Sequence, residues 1–483
     1  MLLVVAAIPA FGLWTLFSWS DAQVEEDAEN SVPPPPTTIV APPPAPDPLL
    51  NPFTTYRRMP TIISRDLSVE DFQAALVPFF GLLNERSCAA VSVDGIEVGA
   101  VGANRVVIPA SNQKLPVAAA ALDVLGEDFR YETRAAVAPG SVAEGVLTGD
   151  LYLIGGGDPL LSSSWYPTSN LERNPVVSPT NFNRLARLVG EAGITRIDGA
   201  VLGDATRYDD EFFAPGWLTG VAGLEAGPYD ALMANDSRVL DDPLKANDPA
   251  EGAAREFTRM LEERGIEVAG APARGEAPAR AETIAAIQSA PMTEVVGEML
   301  LNSDNNTAEL LVKEIGLAAN GNGTREAGLR AVRRALGDRG YDLSGVEFGD
   351  GSGLSLDNRL TCRLVLDVLQ DDDVNGPIGS GLPVLGETGT LSEVVLTDDQ
   401  LAGELRGKTG TLNNPPFNED PPAVKALSGY VPIDGGGAIE FVLILNGPTI
   451  SDQSEYRPIW EAFADVLETY PSGPAPSEIG LLS

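Results

Sequence analysis

Ser111 and Lys114 are the first residues in this sequence whose types and spacing could do chemistry. Residues three apart on a helix lie on the same face about one turn apart, so the hydroxyl and the amine can meet. A lysine whose pKa is lowered by burial or by a nearby cation can act as general base toward a serine nucleophile. The pair alone is a weak signal, since a serine near a helix start is also a common cap. Only one of the five lysines has a serine three residues before it (Lys114, Lys245, Lys313, Lys408 and Lys425).

A second set of polar side chains, Ser303, Asp304 and Asn305, interrupts the helical pattern of residues 292–316. Short side chains in such a break can point into a cleft. There Ser303 could relay a proton, and Asn305 could hold an amide carbonyl of a substrate or orient the lysine. On its own, a tripeptide of this kind is more often an ordinary turn or helix cap.

The third candidate is a predicted strand that carries Lys408, Thr409, Gly410 and Thr411. Alternation along a strand puts Lys408 and Gly410 on one face and the two threonines on the other. A glycine leaves room for a substrate backbone to approach, and the lysine and hydroxyl groups can bind a carboxylate. A similar stretch at 387–391 lacks the lysine, and we expect it to be a turn.

The composition excludes several classes of function. The 483 residues include no histidine and two cysteines, which leaves no His-ligated metal, no Ser-His-Asp triad and no cysteine-built zinc or iron–sulfur site. Against 69 acidic residues stand 32 lysines and arginines, giving a formal net charge of -37. Such a chain lacks the basic surface that nucleic acid binding requires.

The elements that must position these residues are predicted from local patterns. Two strands flank the hairpin turn Asp94-Gly95, and three more lie toward the end of the chain. The simplest assembly is one antiparallel sheet, built from both chain ends and flanked by helices, around an inserted α+β unit. The predicted fold class is therefore α+β. The predicted late strands are 401–412, 425–433 and 438–447, and the predicted helices include 69–84, 111–126 and 452–469.

The N-terminus differs in character from the rest of the chain. Residues 1–20 carry no charge and are about long enough to cross a bilayer core, so we expect a signal peptide or a membrane anchor. An acidic and then proline-rich segment follows, which favours an extended spacer. In the oxidising setting outside the membrane, Cys88 and Cys362 could form a disulfide or remain buried thiols. The predicted domains are the N-terminal segment 1–20, the linker 21–67, a discontinuous catalytic domain 68–139 plus 290–472, the insert 140–289 and the tail 473–483.

Taken together and in this order, the three motifs resemble the S-x-x-K, S-x-N and K-T-G signature of penicillin-recognising serine enzymes. Ser303 follows Ser111 by 192 residues, and Lys408 follows Ser303 by 105. With its large first interval, the sequence resembles the class C low-molecular-mass penicillin-binding proteins, the DacB-like D-alanyl-D-alanine carboxypeptidase/endopeptidase family. The stretches PASNQKL, GGGDPLL and GDGSGLSLDNRLT agree, and the resemblance covers about residues 68–470. It implies a penicillin-binding/β-lactamase-like transpeptidase domain with an inserted α+β domain.

The resemblance also implies a mechanism on peptidoglycan stem peptides that end in D-Ala-D-Ala. Lys114 removes the proton of Ser111, which attacks the carbonyl between the two D-alanines. The backbone amides of Ser111 and Thr411 form the oxyanion hole. Ser303 relays a proton to the leaving amine, and Asn305 anchors the acyl side. The implied mechanism needs no metal and no organic cofactor.

Further implications concern the carboxylate and the partners. Lys408, Thr409 and Thr411 hold the terminal carboxylate, next to Gly410. Water releases the acyl-enzyme, which gives carboxypeptidase activity, and a peptide leaving group gives endopeptidase activity. β-Lactam antibiotics acylate Ser111 as covalent inhibitors. The expected location is extracytoplasmic, on the cell wall side of the bacterial membrane, either anchored through the N-terminal segment or secreted.

Two other functions remain open at this stage. A serine β-lactamase shares the same core, and rapid turnover of penicillin would distinguish it. A non-catalytic cell-wall scaffold that kept the fold would bind no β-lactam at all.

Overall fold

A computed structural model describes residues 59–479, with gaps at 170, 172–175, 218–219, 395, 397–399, 414–422 and 435. The predicted N-terminal segment 1–20 and nearly all of the linker 21–67 lie outside the described residues, as do residues 480–483 of the tail. Across the described part of the chain, no helix combines the length and the apolar character needed to span a membrane.

A five-stranded antiparallel sheet joins the two ends of the described chain, as the sequence predicts. The N-terminal hairpin turns at Asp94 and Gly95, whose φ values are 51° and 75°. Two positive φ values suit the tight hairpin turns that match strand twist. The strand order across the sheet is Arg406–Leu412, Ala423–Pro432, Ala438–Gly447, Cys88–Val93 and Ile96–Val101.

Both faces of this sheet are buried, which explains the nearly continuous apolar sequence of the strand Ala438–Gly447. On one face Phe441 packs against Phe463, with ring centroids 5.6 Å apart. Phe463 in turn stacks on Phe79 at 4.6 Å. This face is covered by the helices Met59–Phe80 and Gln453–Leu467, the first of which starts ten residues before the predicted position 69.

The opposite face carries Val442 and Ile444, which alternate with Phe441 along the strand. They belong to a larger core formed with a group of helices that hold the motif residues. The predicted helix at 111–126 begins with the 3-10 turn Ala110–Gln113 and continues as the α-helix Lys114–Leu125. The other helices of this group are Met292–Asn302, Asn305–Asn320, Arg325–Asp338 and Cys362–Asp371.

The inserted part has its own core and two small mixed sheets. Its helices Phe182–Glu191 and Pro249–Glu262 begin at Asn181 and Asp248, whose side chains accept hydrogen bonds from backbone amides of the first turn. One sheet contains Ala273–Arg274, Val201–Asp204, Leu151–Ile154, Glu132–Val137 and Glu282–Gln288, and the other Glu267–Val268, Arg196–Ile197, Val146–Leu147 and Val142–Ala143.

The domain boundaries stay predictions, but the first sheet of the insert starts before residue 140. Glu132–Val137 pairs with Glu282–Gln288, so this segment belongs to the insert sheet and not to the central one. The short remaining elements are the pair Val106–Val107 with Leu360–Thr361, the pair Leu161–Ser162 with Thr180–Asn181, the helices Pro377–Gly381 and Pro476–Ile479, and the 3-10 turns Tyr166–Thr168, Asn235–Ser237 and Gly389–Leu391.

Cys88 and Cys362 are joined by a disulfide, with their Cα atoms 6.0 Å apart. Both residues are fully buried. Cys88 begins the central strand Cys88–Val93, and Cys362 begins the helix Cys362–Asp371. The bond therefore ties the central sheet to the helical layer beneath it.

Candidate active site

The three sequence motifs meet at one cleft of about 620 Å³. Lys114 and Lys408 are fully buried next to this cleft. Each amine forms a hydrogen bond with a residue that lines the cleft, Lys114 with Ser111 and Lys408 with Ser303. The motif residues that line the cleft are Ser111, Ser303, Asn305, Thr409, Gly410 and Thr411.

The strand that carries the third motif closely approaches the 3-10 turn that contains Ser111. A Cβ atom on Gly410 would lie 3.2 Å from the backbone nitrogen of Ser111 and 3.2 Å from Cβ of Ala110. A side chain at this position would require its neighbours to shift by a few tenths of an ångström. Asn112 ties the same turn to the neighbouring strand of the sheet, because its Nδ2 donates to Oγ of Ser428 at 2.7 Å.

Lys114 lies among three oxygen atoms. Its Nζ is 3.1 Å from Oγ of Ser111, 2.7 Å from Oδ1 of Asn305 and 2.6 Å from the carbonyl oxygen of Ser352. A neutral amine has two N–H donors and one lone pair. The amide and carbonyl oxygens can only accept hydrogen bonds, so they take the two N–H groups, and the lone pair is left for the hydroxyl of Ser111.

The pKa of Lys114 favours the neutral amine more than that of an exposed lysine does. Burial lowers this pKa from its usual value to about 8, against the opposing effect of three nearby carboxylates. These are, in order of effect, Asp350, Asp304 and Glu309.

Ser303 occupies the break between two helices that the sequence predicts. It ends the helix Met292–Asn302 in the left-handed conformation, with φ of 56°, and Asp304 caps the next helix by accepting from the amide of Thr307. Lys408 donates from Nζ to Oγ of Ser303 at 2.8 Å and to the carbonyl oxygen of Thr409 at 2.8 Å. Burial, and then repulsion from Lys114, lower the pKa of Lys408 well below its usual range.

The stretch at 387–391 is the turn that the sequence predicts, but it also reaches the site. Its 3-10 turn Gly389–Leu391 places Oγ1 of Thr390 2.9 Å from Oγ1 of Thr409. Thr390 lines the cleft. Sequence reasoning missed it, since no spacing rule relates it to residue 409.

The stretch GDGSGLSLDNRLT agrees with the family resemblance, but sequence reasoning gave its buried turn no role at the site. The turn contacts Lys114 through the carbonyl of Ser352. Glu309 accepts hydrogen bonds from the backbone amides of Gly351 and Ser352. Asp350 accepts from the amides of Gly353 and Ser355, at 2.8 and 2.6 Å. The two buried carboxyl groups thereby fix the direction of the Ser352 carbonyl.

Glu309 differs from an exposed glutamic acid in its pKa. Burial, and then the charge of Asp350, raise the pKa of Glu309. Glu309 lies four residues after Asn305 on the helix Asn305–Asn320, and that spacing was the one local signal that could have indicated it.

The cleft extends on both sides of Ser111. Toward the insert it is lined by Leu160, Tyr166 and Glu298, and beyond Thr411 it reaches Lys425. Within the described ranges, no three acidic or cysteine side chains come together in a way that could hold a metal ion.

The sequence matches the D-Ala-D-Ala carboxypeptidase 3 (S13) family over residues 89–241 and 231–470. It is 30% identical to D-alanyl-D-alanine carboxypeptidase of Actinomadura sp. (strain R39), covering 70% of this chain and 73% of that one. Carboxypeptidase DacB of Mycolicibacterium smegmatis is also 30% identical, over 92% of both chains. Penicillin binding protein 4 (dacB) from Haemophilus influenzae shares the fold, with a TM-score of 0.65 and 20% identity over 83% of this chain and 99% of that chain.

Proposed function

The chain belongs to the D-Ala-D-Ala carboxypeptidase 3 (S13) family and is a serine-type D-alanyl-D-alanine carboxypeptidase with a penicillin-binding α+β fold, and we propose that Ser111 is its nucleophile and Lys114 its general base. The family, the fold class and the enzyme class that the sequence predicts are thereby confirmed. The role of each residue is a proposal, and so are the finer points of substrate and location.

The observation that carries this assignment is the set of three oxygens around Nζ of Lys114. Two of them occupy its N–H groups, and the third belongs to the hydroxyl of Ser111 at 3.1 Å. A base so arranged can accept the proton of Ser111 without moving. This is the geometry that general-base activation of a nucleophile needs.

In the proposed acylation, Oγ of Ser111 attacks the carbonyl between the two terminal D-alanines, and its proton passes to Lys114. The backbone amides of Ser111 and Thr411 stabilise the oxyanion. The close packing of Gly410 on the nitrogen of Ser111 supports this, since it puts the two backbone segments side by side. The C–N bond then breaks and D-alanine leaves with a proton that Ser303 relays to its nitrogen.

Substrate contacts follow from the same cleft. Asn305 holds the acyl side of the peptide, while Thr409 and Thr411 offer hydroxyls to the terminal carboxylate. Lys408 donates to Ser303 and so orients the proposed relay. No step of this scheme requires a metal or an organic cofactor.

Hydrolysis of the acyl-enzyme by water completes the carboxypeptidase reaction and frees Ser111. A peptide in place of D-alanine as leaving group would give endopeptidase activity. The cleft continues past Thr411 to Lys425, which leaves space for such a group. β-Lactams acylate the same serine, and slow hydrolysis of that adduct makes them inhibitors.

The enzyme class acts on the cell wall, outside the cytoplasm. We further propose that residues 1–20 act as a signal peptide or hold the enzyme at the membrane, with 21–67 as the spacer to the catalytic body. The absence of charge in the first 20 residues and the proline-rich sequence that follows support this proposal.

Labelling of the full chain with a fluorescent penicillin, followed over time beside Ser111→Ala, tests the assignment. We expect a persistent covalent label that the variant lacks, and release of D-alanine from a peptide ending in D-Ala-D-Ala. Rapid loss of the label would indicate a β-lactamase instead. A folded protein that takes no label and releases no D-alanine would indicate a non-catalytic scaffold.

A further inference from the structure

Lys425 lies next to the motif strand at the end of the cleft beyond Thr411. The two residues are cross-strand partners in the central sheet, and Nζ of Lys425 donates to Oγ1 of Thr411 at 3.0 Å. Directly opposed residues point to the same face of a sheet. Lys425 therefore shares the face that carries the hydroxyls of Thr409 and Thr411, and it lines the same cleft.

Aromatic rings hold the amine of Lys425 in place. Its Nζ lies 4.3 Å from the ring centroid of Tyr456 and 5.2 Å from that of Trp460. Ring faces attract a cation, so the two rings stabilise a positive charge at this position. Arg457 also lines this end of the cleft, and its Nε donates to Glu461 at 3.0 Å.

Lys408 is less suited to supply the positive charge for a substrate carboxylate. It is fully buried, its Nζ already donates to Ser303 and to the carbonyl of Thr409, and Lys114 repels its charge. A buried ammonium without a carboxylate partner is costly. Lys425 is only partly buried, and its Nζ already reaches one of these hydroxyls, that of Thr411.

We propose that Lys425 is a substrate-binding residue that supplies, through and beside Thr411, the positive charge that recognises the free carboxylate of the terminal D-alanine. This rests on the proposed function of the cleft. It makes Lys425 the residue that distinguishes a peptide with a free C-terminus from one whose terminal carboxylate is blocked. The chemistry is a charge-assisted hydrogen bond, which is stronger than a neutral one.

The test compares two substrates, a peptide ending in D-Ala-D-Ala and the same peptide with a C-terminal carboxamide. The quantity measured is kcat/KM for release of the last residue, because it reports acylation. For Lys425→Met we expect a loss of about tenfold or more on the free acid and less than about twofold on the amide. Lys425→Arg should keep the preference for the acid. Arg330→Gln removes the charge of an exposed side chain that does not line the cleft, and it should change neither value.

Each outcome of this comparison either supports or overturns the inference about Lys425. An equal loss on both substrates would assign Lys425 to packing alone, and no loss on either would remove it from the site; both overturn the inference. If Lys425→Met does not fold, Lys425→Gln keeps an N–H donor toward Thr411 without the charge and gives the same comparison. A wild-type chain that takes no penicillin and releases no D-alanine overturns the proposed function and the inference with it. An active wild type whose preference survives in the neutral variants overturns only the inference.

Discussion

Nζ of Lys114 donates to the carbonyl oxygen of Ser352 at 2.6 Å, a contact between residues 238 positions apart in the sequence. With the amide oxygen of Asn305, this carbonyl fixes both N–H groups of the neutral amine. The lone pair then has one direction left, toward Ser111. The backbone turn around Ser352 is therefore part of the apparatus that orients the proposed base.

Acylation by penicillin should follow the ionisation of Lys114. Burial lowers the pKa of this lysine to about 8, and only the deprotonated amine can accept the proton of Ser111. The second-order acylation rate should rise about tenfold per pH unit below 8 and level off above it. The rate is measured between pH 6 and 10 with a chromogenic or fluorescent β-lactam. A profile that is flat or falls through this range would exclude Lys114 as the base.

Asn305→Asp should move that profile to higher pH. The substitution puts a carboxylate where the amide oxygen lies 2.7 Å from Nζ of Lys114, and a nearby negative charge raises a lysine pKa. Asn305→Ala serves as the control, since it removes the contact without adding a charge. We expect a lower plateau in both variants, with an upward shift of the midpoint in the Asp variant alone. Equal midpoints in all three proteins would contradict the proposed contact.

Two replacements of Glu309 should separate its role as hydrogen-bond acceptor for the Ser352 turn from the effect of its charge. Glu309→Ala leaves two buried backbone amides without their acceptor, which should lower the free energy of unfolding by about 2–4 kcal/mol and slow acylation. Glu309→Gln keeps an acceptor oxygen and should retain most of the activity. Chemical denaturation and penicillin labelling measure the two effects. Full labelling rates in the Ala variant would show that the turn does not orient Lys114.

The same residue gives a prediction for stability against pH. The folded-state pKa of Glu309 is raised to about 8, so the folded protein holds a proton that the unfolded chain has lost above its ordinary carboxyl pKa. This contribution is fully present at low pH and is lost as pH rises toward 8. The melting temperature of Glu309→Gln minus that of the wild type should therefore increase between pH 5 and 8. A constant difference would mean that Glu309 is ionised throughout.

Removal of the disulfide should lower the stability of the folded protein. The Cys88–Cys362 bond closes a loop with a sequence separation of 274, which restricts the unfolded chain strongly. We expect the double variant Cys88→Ala, Cys362→Ala to lose about 2–5 kcal/mol of the free energy of unfolding, measured by denaturant titration. Penicillin labelling of the folded variant should persist, since neither cysteine lines the cleft. A variant as stable as the wild type would show that the bond adds nothing to the packing around it.

Local patterns in the sequence predicted several secondary-structure elements of this protein. The strand of Lys408, the helical break at Ser303 and the hairpin at Asp94 are short-range features, since strand alternation, helix capping and positive φ depend on neighbouring residues. The family resemblance then put the motifs into one site, and the fold and the enzyme class are confirmed. The roles of the individual motif residues stay proposals.

The insert boundary depends on long-range pairing. Glu132–Val137 is a strand of ordinary composition that could have joined either sheet. It pairs with Glu282–Gln288, nearly 150 residues later, and no local pattern encodes that choice. The disulfide likewise requires two distant segments to meet. From the sequence alone, Cys88 and Cys362 could also have remained free thiols.

What the sequence alone determined is which side chains could react, because their chemistry and local spacing are written in it. Only the tertiary structure decided what surrounds them. The carbonyl of Ser352 reaches Lys114 from 238 residues away in the chain. Only the folded structure shows that the carboxyl group of Glu309 and the amine of Lys425 also belong to the site. Burial and neighbouring charge also set the proton balance of Lys114 and Lys408. Desolvation and Coulomb interactions depend on distances in space, and those exist only once the chain has folded.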